Sequence, residues 1–375
     1  MEANQHDRDQ QLESDMAKSP GTDLVTLLKD RRGEQHAVIL QDFPDPDAIS
    51  SALAYRAIAE HFGITVDIFY GGRVSHQENL ALINVLDISM IRYEGQEIDC
   101  DRYQGCIFVD NQGNNSSLTR VMVNEGGIPP LAIIDHHAEQ NVIDAPFMDI
   151  RPIVGSCASI FVEYLHTSGI SMPQDREISR RLATALMHGI LSDTRFMVWA
   201  APDDYHAAAR LQPHVDQEML MDLLHQQRSR RTMEVIQVAL SNRVMREGLS
   251  VAGVGSLRSQ DRDAIPQAAD FLLTEETTTT SIVYGIVNDN GQEFVSGSLR
   301  TSKTSLVPDD FLKDALGKDE DGHYFGGGKM MAGGFEIPLG FLSGEDDQVL
   351  ARLKWEAYDV KIRKRLFKAI GIKEV

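Results

Sequence analysis

Short apolar runs alternate with longer amphipathic segments along the first half of the chain. Between the first two runs, Ile49, Leu53 and Ile58 recur at helical spacing, and this pattern predicts a helix. The runs themselves are rich in β-branched residues, as buried strands are; they are AVIL (37–40), VDIFY (66–70), CIFV (106–109) and LAII (131–134). Strands that alternate with helices predict a doubly wound α/β fold around a mostly parallel sheet.

The pattern changes near Gly248. Before this point, helical periodicity covers 156–168, 177–191 and about 203–245. After it, LSVAGVG, SIVYGIVND and QEFVSGSLR predict strands, with the helix DAIPQAADFLLTE between the first two. A second, smaller α+β domain is therefore expected. The predicted divisions are a polar disordered tail (1–22), an α/β domain (23–200), a helical connector (201–246), the α+β domain (247–345) and a C-terminal helix (346–375).

The net charge of the chain limits the substrates and partners that can be expected. The 375 residues include 56 acidic side chains against 36 Lys and Arg, for a formal net charge of −20. Long nucleic acids gain affinity from Lys and Arg that neutralise phosphates, so a small phosphorylated substrate is favoured over a long duplex. The basic run KIRKRLFK (361–368) is more typical of a solvated helix face. Because the sequence has neither a membrane-length apolar run nor a signal-peptide core, we expect no membrane partner and a cytoplasmic location.

Acidic residues follow three of the predicted strands. A further acid, Asp193, comes after the apolar helix LATALMHGIL. Because the carboxyl ends of parallel strands meet at one edge of a sheet, these side chains are expected to converge. In chain order, the strand-end groups are Asp45 and Asp47 in QDFPDPD, then Asp110, then Asp135-His136-His137.

Converging carboxylates require a positive counter-charge. Two like charges about 4 Å apart repel by roughly 4 kcal/mol at an effective dielectric of about 20, so a cation is expected among them. A mixed carboxylate and imidazole set suits Mn²⁺, with Mg²⁺ as the alternative. Asp45 and Asp47 could each address a different ion, and Asp110 could bridge two. Paired metals generate a hydroxide nucleophile near neutral pH and neutralise charge on a phosphoryl group.

Each motif also has a simpler structural interpretation. A PDPD sequence is usually a plain turn, and Asp110 could instead cap the following helix. A His-His pair is more often structural or exposed than metal-bound. The combination of all these motifs within one α/β domain favours the metal site.

In this combination the sequence resembles the DHH phosphoesterases, a family that includes RecJ exonucleases, NrnA-type nanoRNases and manganese-dependent inorganic pyrophosphatases. The signature Asp135-His136-His137 follows an apolar strand, and QDFPDPD (41–47) is similar to the first family motif. VDN around Asp110 and GILSDT around Asp193 resemble two further motifs. GSLRTS (297–302) and FGGGKMMAGGF (325–335) resemble motifs of the DHH-associated C-terminal domain, so the resemblance covers nearly all of 36–340.

The resemblance assigns roles to these residues. Residues 23–200 would be the catalytic, metal-binding domain and residues 247–345 the substrate-binding domain. His137 would contact the bound phosphate or orient a ligand. The implied metal ligands are Asp45 and Asp110 for one ion, and Asp47, Asp110, His136 and Asp193 for the other.

The resemblance also implies substrate-binding groups in the C-terminal domain. Gly326, Gly327 and Gly328 would bring backbone N–H groups against a phosphate or a carboxylate-like terminus. Arg300 would supply a forked phosphate contact. Lys329 stands where the family has a histidine and keeps a positive charge there. A flexible hairpin loop is the simpler interpretation of the glycines.

One departure affects the metal site itself. Gln41 stands where the family has a metal-ligating histidine, so the first site loses its imidazole. That site would then be looser, completed by water, or rearranged around Asp42.

The leading functional hypothesis is a phosphodiesterase that releases mononucleotides from short oligonucleotides or dinucleotides such as pGpG, using a metal-activated hydroxide. One alternative is a phosphomonoesterase acting on adenosine 3′,5′-bisphosphate. Another is a nucleotide-binding sensor that lost catalysis with its histidine. An inorganic pyrophosphatase is less favoured, because the glycine-rich motif suits an organic substrate. RNA versus DNA preference, cleavage polarity and oligomeric state, with a homodimer as one alternative, stay open.

Overall fold

The structure is a computed structural model that describes residues 20–72, 74, 77–114, 116–139, 143–167, 170, 172–225, 228–289, 291–329, 331–344 and 347–372. Of the predicted disordered tail, residues 1–19 lie outside the described residues, whereas 20–22 begin the first helix. The chain divides into two compact units, Met1–Gln226 and Gln227–Val375. None of the helices formed by the described residues is long and apolar enough to cross a membrane.

The first unit is built on a six-stranded sheet in the order β3-β2-β1-β4-β5-β6, with every neighbouring pair parallel. Its elements are α1 (Pro20–Lys29), β1 (Gln35–Ile39), α2 (Pro46–His61), β2 (Thr65–Tyr70), α3 (Gln77–Val85), β3 (Ile91–Arg92), a 3₁₀ turn (Cys100–Arg102), β4 (Gly105–Val109), a π-helical segment (Thr119–Glu125), β5 (Pro130–Asp135), β6 (Phe147–Ile150), α4 (Cys157–Thr167), α5 (Arg176–Asp193), α6 (Pro202–Leu211) and α7 (Gln217–Leu224). The strand order reverses between β1 and β4, which is the topological switch point where such sheets bind ligands.

Alternation along the central strands buries side chains on both faces of this sheet. Val38 of β1 and Ile107 of β4 belong to the larger core, which also contains Ile49 of α2. Their neighbours Ile39 and Phe108 belong to a second core on the opposite face. Burial on both faces explains why these strands are continuous apolar runs, and it confirms the predicted doubly wound α/β fold.

The second unit is built on a mixed six-stranded sheet in the order β11-β12-β10-β9-β8-β7. Its β8 and β9 pair in parallel and the other neighbours are antiparallel. The elements are α8 (Arg230–Asn242), β7 (Val244–Arg246), β8 (Leu249–Arg258), a 3₁₀ turn (Ser259–Asp261), α9 (Ala264–Leu273), β9 (Thr280–Asp289), β10 (Gln292–Thr301), α10 (Pro308–Leu316), β11 (Gly326–Lys329), β12 (Ala332–Pro338), a 3₁₀ turn (Gly340–Leu342) and α11 (Gln348–Ala369).

The second unit also has a core on each face of its sheet. Ile282 and Leu299 belong to the core that includes Phe367 of α11. Val283, the neighbour of Ile282, belongs to the other core with Val235 of α8. The sheet with its helices confirms the α+β character predicted for this region.

The helical stretch predicted over about 203–245 consists of three helices, α6, α7 and α8. Pro213 lies in the break after α6, and Ser229 begins α8 by accepting the N–H of Thr232 on its Oγ. The predicted connector 201–246 is therefore not one element: α6 and α7 pack on α4 and α5 of the first unit, whereas α8 packs on β8 and α9 of the second.

Candidate metal centre

The predicted acids gather at the carboxyl edge of the first sheet, around the switch point between β1 and β4. Asp45 follows β1 as the N-cap of α2, and Asp47 lies in the first turn of that helix. Asp110 and His136 directly follow β4 and β5, and Asp193 is the last residue of α5. Four separate chain segments thus deliver the five side chains.

The imidazole of His136 lies at the centre of this cluster. Its Nε2 atom lies 3.2 Å from Oδ2 of Asp193, 3.3 Å from Oδ1 of Asp110 and 3.7 Å from Oδ2 of Asp47. Its Nδ1 atom lies 3.3 Å from the backbone oxygen of Val154. Because a partner at Nδ1 fixes the orientation of an imidazole ring, Nε2 is the nitrogen presented to the acids.

Asp110 is the most unusual member of the cluster. It is buried, and neither of its carboxylate oxygens makes a hydrogen bond among the described residues. Nε2 of His136 is buried and unsatisfied in the same sense. Asp110 also has a φ of 56°, in the left-handed region that few non-glycine residues adopt outside functional sites. Since buried polar atoms are normally hydrogen-bonded, these orphaned atoms and their mixed carboxylate–imidazole character fit a divalent cation.

Asp47 joins the cluster to helix α4. Its Oδ2 accepts the N–H of Cys157 and its Oδ1 accepts the N–H of Ala158, both at 2.7 Å. The first N–H groups of a helix have no partner within the helix and carry partial positive charge, so a carboxylate is stabilised there. The side chain of Asp47 therefore connects the beginnings of α2 and α4 while its Oδ2 faces His136.

Asp45 is contacted by Gln41, the residue that stands where the resemblance implies a metal-binding histidine. Nε2 of Gln41 lies 3.4 Å from Oδ2 of Asp45, so the amide faces the cluster side of the loop. Asp42, by contrast, uses its Oδ1 to accept the N–H and hydroxyl of Ser117 at 2.9 and 2.8 Å. The geometry therefore gives no support to a metal site rearranged around Asp42.

Asp135 holds the turn that carries the two histidines. Its Oδ1 accepts the N–H groups of His136 and His137 and also lies 2.8 Å from Nδ1 of His137. Its Oδ2 accepts a hydrogen bond of 2.7 Å from Gln112. Both oxygens are thus used in fixing the turn, and the side chain of His137 is left 42% exposed.

The electrostatics of the cluster reflect crowded acids removed from water. Burial, reinforced by the Asp193 carboxylate, raises the pKa of Asp45 to about 6. Burial also raises the pKa values of Asp47 and Asp110 well above their ordinary range. Protonation of the carboxyl groups relieves the repulsion between them, and a bound cation would relieve it in the same way.

The histidine and the turn acid shift in the opposite sense. Burial alone would lower the pKa of His136, but the carboxylates of Asp110 and Asp193 raise it to about 12. Burial alone would raise the pKa of Asp135, but hydrogen bonds from His137 and Gln112 hold it below its ordinary value. Asp135 is therefore a stable anion in the wall of the site.

Two overlapping sets of ligand atoms lie close enough to hold a metal ion. One is Asp47, His136 and Asp193, and the other is Asp110, His136 and His137, with the atoms of each set within 4.8 Å of one another. The cluster can therefore hold a metal ion. Asp45 belongs to neither set in the described part of the chain, so its predicted ligand role stays a prediction.

Arg300, the predicted phosphate contact of the second unit, is already engaged. Its Nε donates to Oδ1 of Asp270 at 2.8 Å, and its Nη1 donates to Oγ of Ser298 at 2.7 Å and to the backbone oxygen of Leu299 at 3.0 Å. A forked phosphate contact through Nε would have to displace Asp270.

The three predicted glycines lie in β11 at the edge of the second sheet rather than in a loop. A Cβ on Gly326 would lie 2.8 Å from the Cβ of Phe335, and a Cβ on Gly328 would lie 2.9 Å from the Cβ of Pro308. Gly327 pairs with Gly334 in the same ladder. Close packing of β11 against β12 and α10 is therefore a structural reason for the absence of side chains here.

The N–H of Gly328 already has an acidic partner. It donates to Oδ1 of Asp309 at 3.2 Å, and Nζ of Lys313 donates to Oδ2 of the same carboxylate at 2.6 Å. A substrate phosphate would compete with Asp309 for this group. Lys329 ends β11, and the predicted role of its side chain lies outside the described residues.

Sequence reasoning missed the groups that brace the site. Asp135 carried a signal, since it is an acid directly after a strand, but it received no role. The contact from Asp42 to Ser117 spans 75 positions and that from Asp47 to Cys157 spans 110. No local pattern reports pairings at such separations.

Comparison with known proteins identifies a matching family domain and a related protein. Residues 36–190 match the N-terminal domain of the DHH family. An uncharacterized protein of Methanocaldococcus jannaschii is 38% identical over 334 residues, which are 88% of this chain and 63% of that protein. The chain thus spans less than two thirds of the relative's length.

Among solved structures, an exopolyphosphatase-related protein from Bacteroides fragilis is similar, with a TM-score of 0.66. The sequences are 14% identical, and the match covers 94% of this chain and 98% of that one. At this level of identity the likeness concerns the fold.

Proposed function

We propose that this chain, whose residues 36–190 match the N-terminal domain of the DHH family, is a metal-dependent phosphoesterase that hydrolyses short oligonucleotides or dinucleotides to mononucleotides. The observation that carries the proposal is the pair of buried, unsatisfied Asp110 oxygens facing an equally unsatisfied Nε2 of His136. A protein that buries such atoms without partners gains stability when a cation joins them.

The metal ligands in this proposal are the five clustered side chains. Asp47, Asp110, His136 and Asp193 would hold one ion, and Asp45 with Asp110 would hold the other. Mn²⁺ is the proposed ion, with Mg²⁺ as the alternative, because the donors are carboxylates and imidazole without thiolate. When bound, such ions lower the pKa of water and neutralise charge that develops on a phosphoryl group.

Other residues of the chain have supporting tasks. Asp135 holds the turn through the N–H groups of His136 and His137 and contacts Nδ1 of His137. The Val154 carbonyl orients the His136 ring, so that its Nε2 points to the acids. Since Nδ1 of His137 is bound to Asp135 and its ring is partly exposed, Nε2 of His137 is the atom proposed to contact the phosphate.

The choice of a short substrate rests on charge. With a net charge of −20, the chain is poorly suited to neutralise many phosphates along a strand. A substrate with one or two phosphates can instead be held by the metal ions and a few polar groups. The cytoplasmic location expected from the sequence is part of this proposal.

The test is a hydrolysis screen on the full chain with Mn²⁺, Mg²⁺ or chelator. The substrates are di- and trinucleotides, a cyclic dinucleotide, adenosine 3′,5′-bisphosphate and pyrophosphate, with products separated by ion-exchange chromatography. We expect mononucleotides from the linear dinucleotides with Mn²⁺ and none with chelator. Phosphate released from the bisphosphate alone would identify a monoesterase, and nucleotide binding without any hydrolysis would identify a sensor.

A further inference from the structure

The segment that directly follows Asp193 has an unusual backbone. Arg195, Phe196 and Met197 have φ values of 49°, 56° and 67°, so three consecutive non-glycine residues adopt the left-handed conformation. L-residues with a Cβ avoid this region because the side chain approaches the backbone, and runs of it are rare. Such strain is retained where the surrounding structure enforces it, and it is concentrated at functional sites. We call residues 194–199 the aromatic arm.

Hydrogen bonds hold the aromatic arm in this conformation. The N–H of Phe196 donates to the backbone oxygen of Leu191 at 2.7 Å, and the N–H of Met197 donates to Oγ1 of Thr194 at 3.1 Å. The hydroxyl of Tyr205 donates to the backbone oxygen of Met197 at 2.9 Å. The arm is therefore a defined structure rather than a loose loop.

The effect of this conformation is to present apolar side chains to solvent. Phe196 is 65% exposed, Val198 is 75% exposed and Trp199 is 46% exposed, while Met197 packs against the core of the first unit. The guanidinium of Arg195 lies over the Trp199 ring, 4.5 Å from its centroid. Exposed apolar side chains that are grouped in this way often mark a binding site, whereas single exposed apolar residues are normal.

The arm borders the metal cluster. Asp193, which precedes it, lies 3.2 Å from Nε2 of His136. Two other loops at the same edge also expose an apolar side chain. Phe43 is 69% exposed two positions before Asp45, and Ile153 is 83% exposed next to the Val154 carbonyl that contacts His136. Apolar surface thus flanks a polar, charged centre.

We propose that the aromatic arm is a stacking site for the nucleobase next to the phosphate that is hydrolysed, with Phe196 and Trp199 as the contacting rings. A nucleobase presents flat apolar faces and is attached to the phosphate by a sugar, so a substrate held at the cluster carries its base to the bordering surface. The guanidinium of Arg195 adds a planar cation on which a base can also stack. The inference rests on the proposed function, because it assumes a nucleotide at the cluster.

Direct binding tests this inference without turnover. The chain has two tryptophans, so a Trp355→Phe variant leaves Trp199 as the single indole fluorophore. AMP is a product of the proposed phosphodiester hydrolysis, so the metal cluster is left unchanged in this variant. We expect AMP with Mn²⁺ to quench Trp199 fluorescence and ribose 5-phosphate, which lacks the base, to produce no quenching and to bind about 10-fold or more weakly. Equal effects of the two probes would overturn the proposal.

Kinetics provide the second arm of the test. Phe196→Ala and Trp199→Leu should each raise KM for a dinucleotide by about 10- to 100-fold, with kcat changed much less. Neither variant should affect an abasic dinucleotide. Phe341→Ala, which removes a fully exposed phenylalanine of the second unit, is the matched control and should leave KM unchanged.

The outcomes separate this inference from the proposed function. Metal-dependent hydrolysis with unchanged KM in both arm variants would refute the stacking site and keep the phosphoesterase. Quenching of Trp199 by AMP without hydrolysis of any phosphoester would keep the stacking site and refute the phosphoesterase. If the arm variants instead changed only the oligomeric state, measured by light scattering, the arm would be a contact between copies and the inference would be wrong.

Discussion

The acidic cluster of the first unit and the phosphate-binding groups predicted in the second differ in how well their polar atoms are satisfied. Among the described residues, both buried oxygens of Asp110 lack a hydrogen-bond partner, and so does Nε2 of His136. In the second unit, Arg300 is paired with Asp270 and the N–H of Gly328 is paired with Asp309. The polar atoms of the first region are left without hydrogen-bond partners among the described residues, whereas those of the second are paired with acids of their own unit.

This difference indicates where a ligand contributes most. Crowded buried acids are costly, so a cation in the cluster adds stabilisation there. A phosphate at Arg300 only replaces the Asp270 carboxylate, and an exposed ion pair is worth about 0–1 kcal/mol. We therefore expect large effects from changes to the cluster and small ones from changes at Arg300.

The largest expected effect comes from Asp110→Asn. In metal-free protein this change removes one of the crowded buried acids, whose burial and mutual repulsion raise their pKa values, so the melting temperature should rise by roughly 2–4 °C for each kcal/mol relieved. With Mn²⁺ at 100 times its Kd, wild type should gain about 2.7 kcal/mol, and the variant should lose most of that gain. Hydrolysis should fall by more than about 100-fold. Calorimetry with and without chelator measures the first two effects.

Asp204→Asn is the matched control for this variant. Asp204 is equally buried, but its carboxylate accepts the N–H groups of Gly155 and Ala201 and the hydroxyl of Ser159. Its replacement should therefore lower the metal-free melting temperature. If Asp110→Asn destabilised the metal-free protein as Asp204→Asn does, the contrast between unsatisfied and satisfied acids would be wrong.

The pH dependence of metal binding should follow the raised carboxyl pKa values. Since the pKa of Asp45 is raised to about 6, this group binds more protons in the folded than in the unfolded state, and its contribution to metal-free stability is lost as pH rises from about 4 to 6. A metal must displace the proton. The Kd for Mn²⁺ should therefore rise by about tenfold per pH unit for each proton displaced below pH 6.

Calorimetric titration in buffers of different ionisation enthalpy measures the protons released. Asp135 does not interfere in this range, because its pKa is lowered and its contribution is lost only at more acidic pH. A Kd that stayed constant between pH 5 and pH 7 would mean that the raised carboxyl groups are not ligands.

A more modest effect is expected from Gln41→His. The amide of Gln41 faces Asp45, and imidazole is a better ligand for Mn²⁺ than a neutral amide, so the Kd should fall by about tenfold. Asp42→Asn is the control, since Asp42 is bound to Ser117, and it should leave the metal Kd unchanged. Tighter binding in the control instead of in Gln41→His would reverse the assignment of the loop.

The smallest expected effect is that of Asp270→Asn. Releasing the Arg300 guanidinium from this partially exposed pair should lower KM by up to about fivefold, the scale of a surface ion pair. Arg300→Lys should raise KM, because a lysine cannot offer a planar fork. Steady-state kinetics with a dinucleotide compare the two. If both variants matched wild type, Arg300 would have only a structural role in the second sheet.

Much of the architecture was predictable because the signals were local. The apolar runs ending at Leu40, Tyr70, Val109 and Ile134 each became a strand, with observed boundaries within two residues. Period-2 and helical patterns report burial, which the sheet and its covering helices enforce. By contrast, β11 was not predicted, because a strand of three glycines and a lysine has no apolar signal and is fixed by packing against Phe335 and Pro308.

The candidate site was predictable in membership and less so in connections. Asp45, Asp110 and His136 were identified because each follows a strand, and the edge of a parallel sheet brings such positions together. The pairing of Asp42 with Ser117 and of Arg300 with Asp270 depends on tertiary distance, which composition and spacing do not encode.

The double attachment of Asp47 gives the cluster influence over the interior of the first unit. The same carboxylate faces His136 and receives the first amides of α4, a helix whose residues Ile160 and Phe161 belong to the core. Binding of the ion should therefore make local opening of the first turn of α4 less frequent. Hydrogen–deuterium exchange at the amides of Cys157 and Ala158 would slow when the ion binds. The exchange rates of these two amides would therefore report the metal occupancy of the cluster without any substrate.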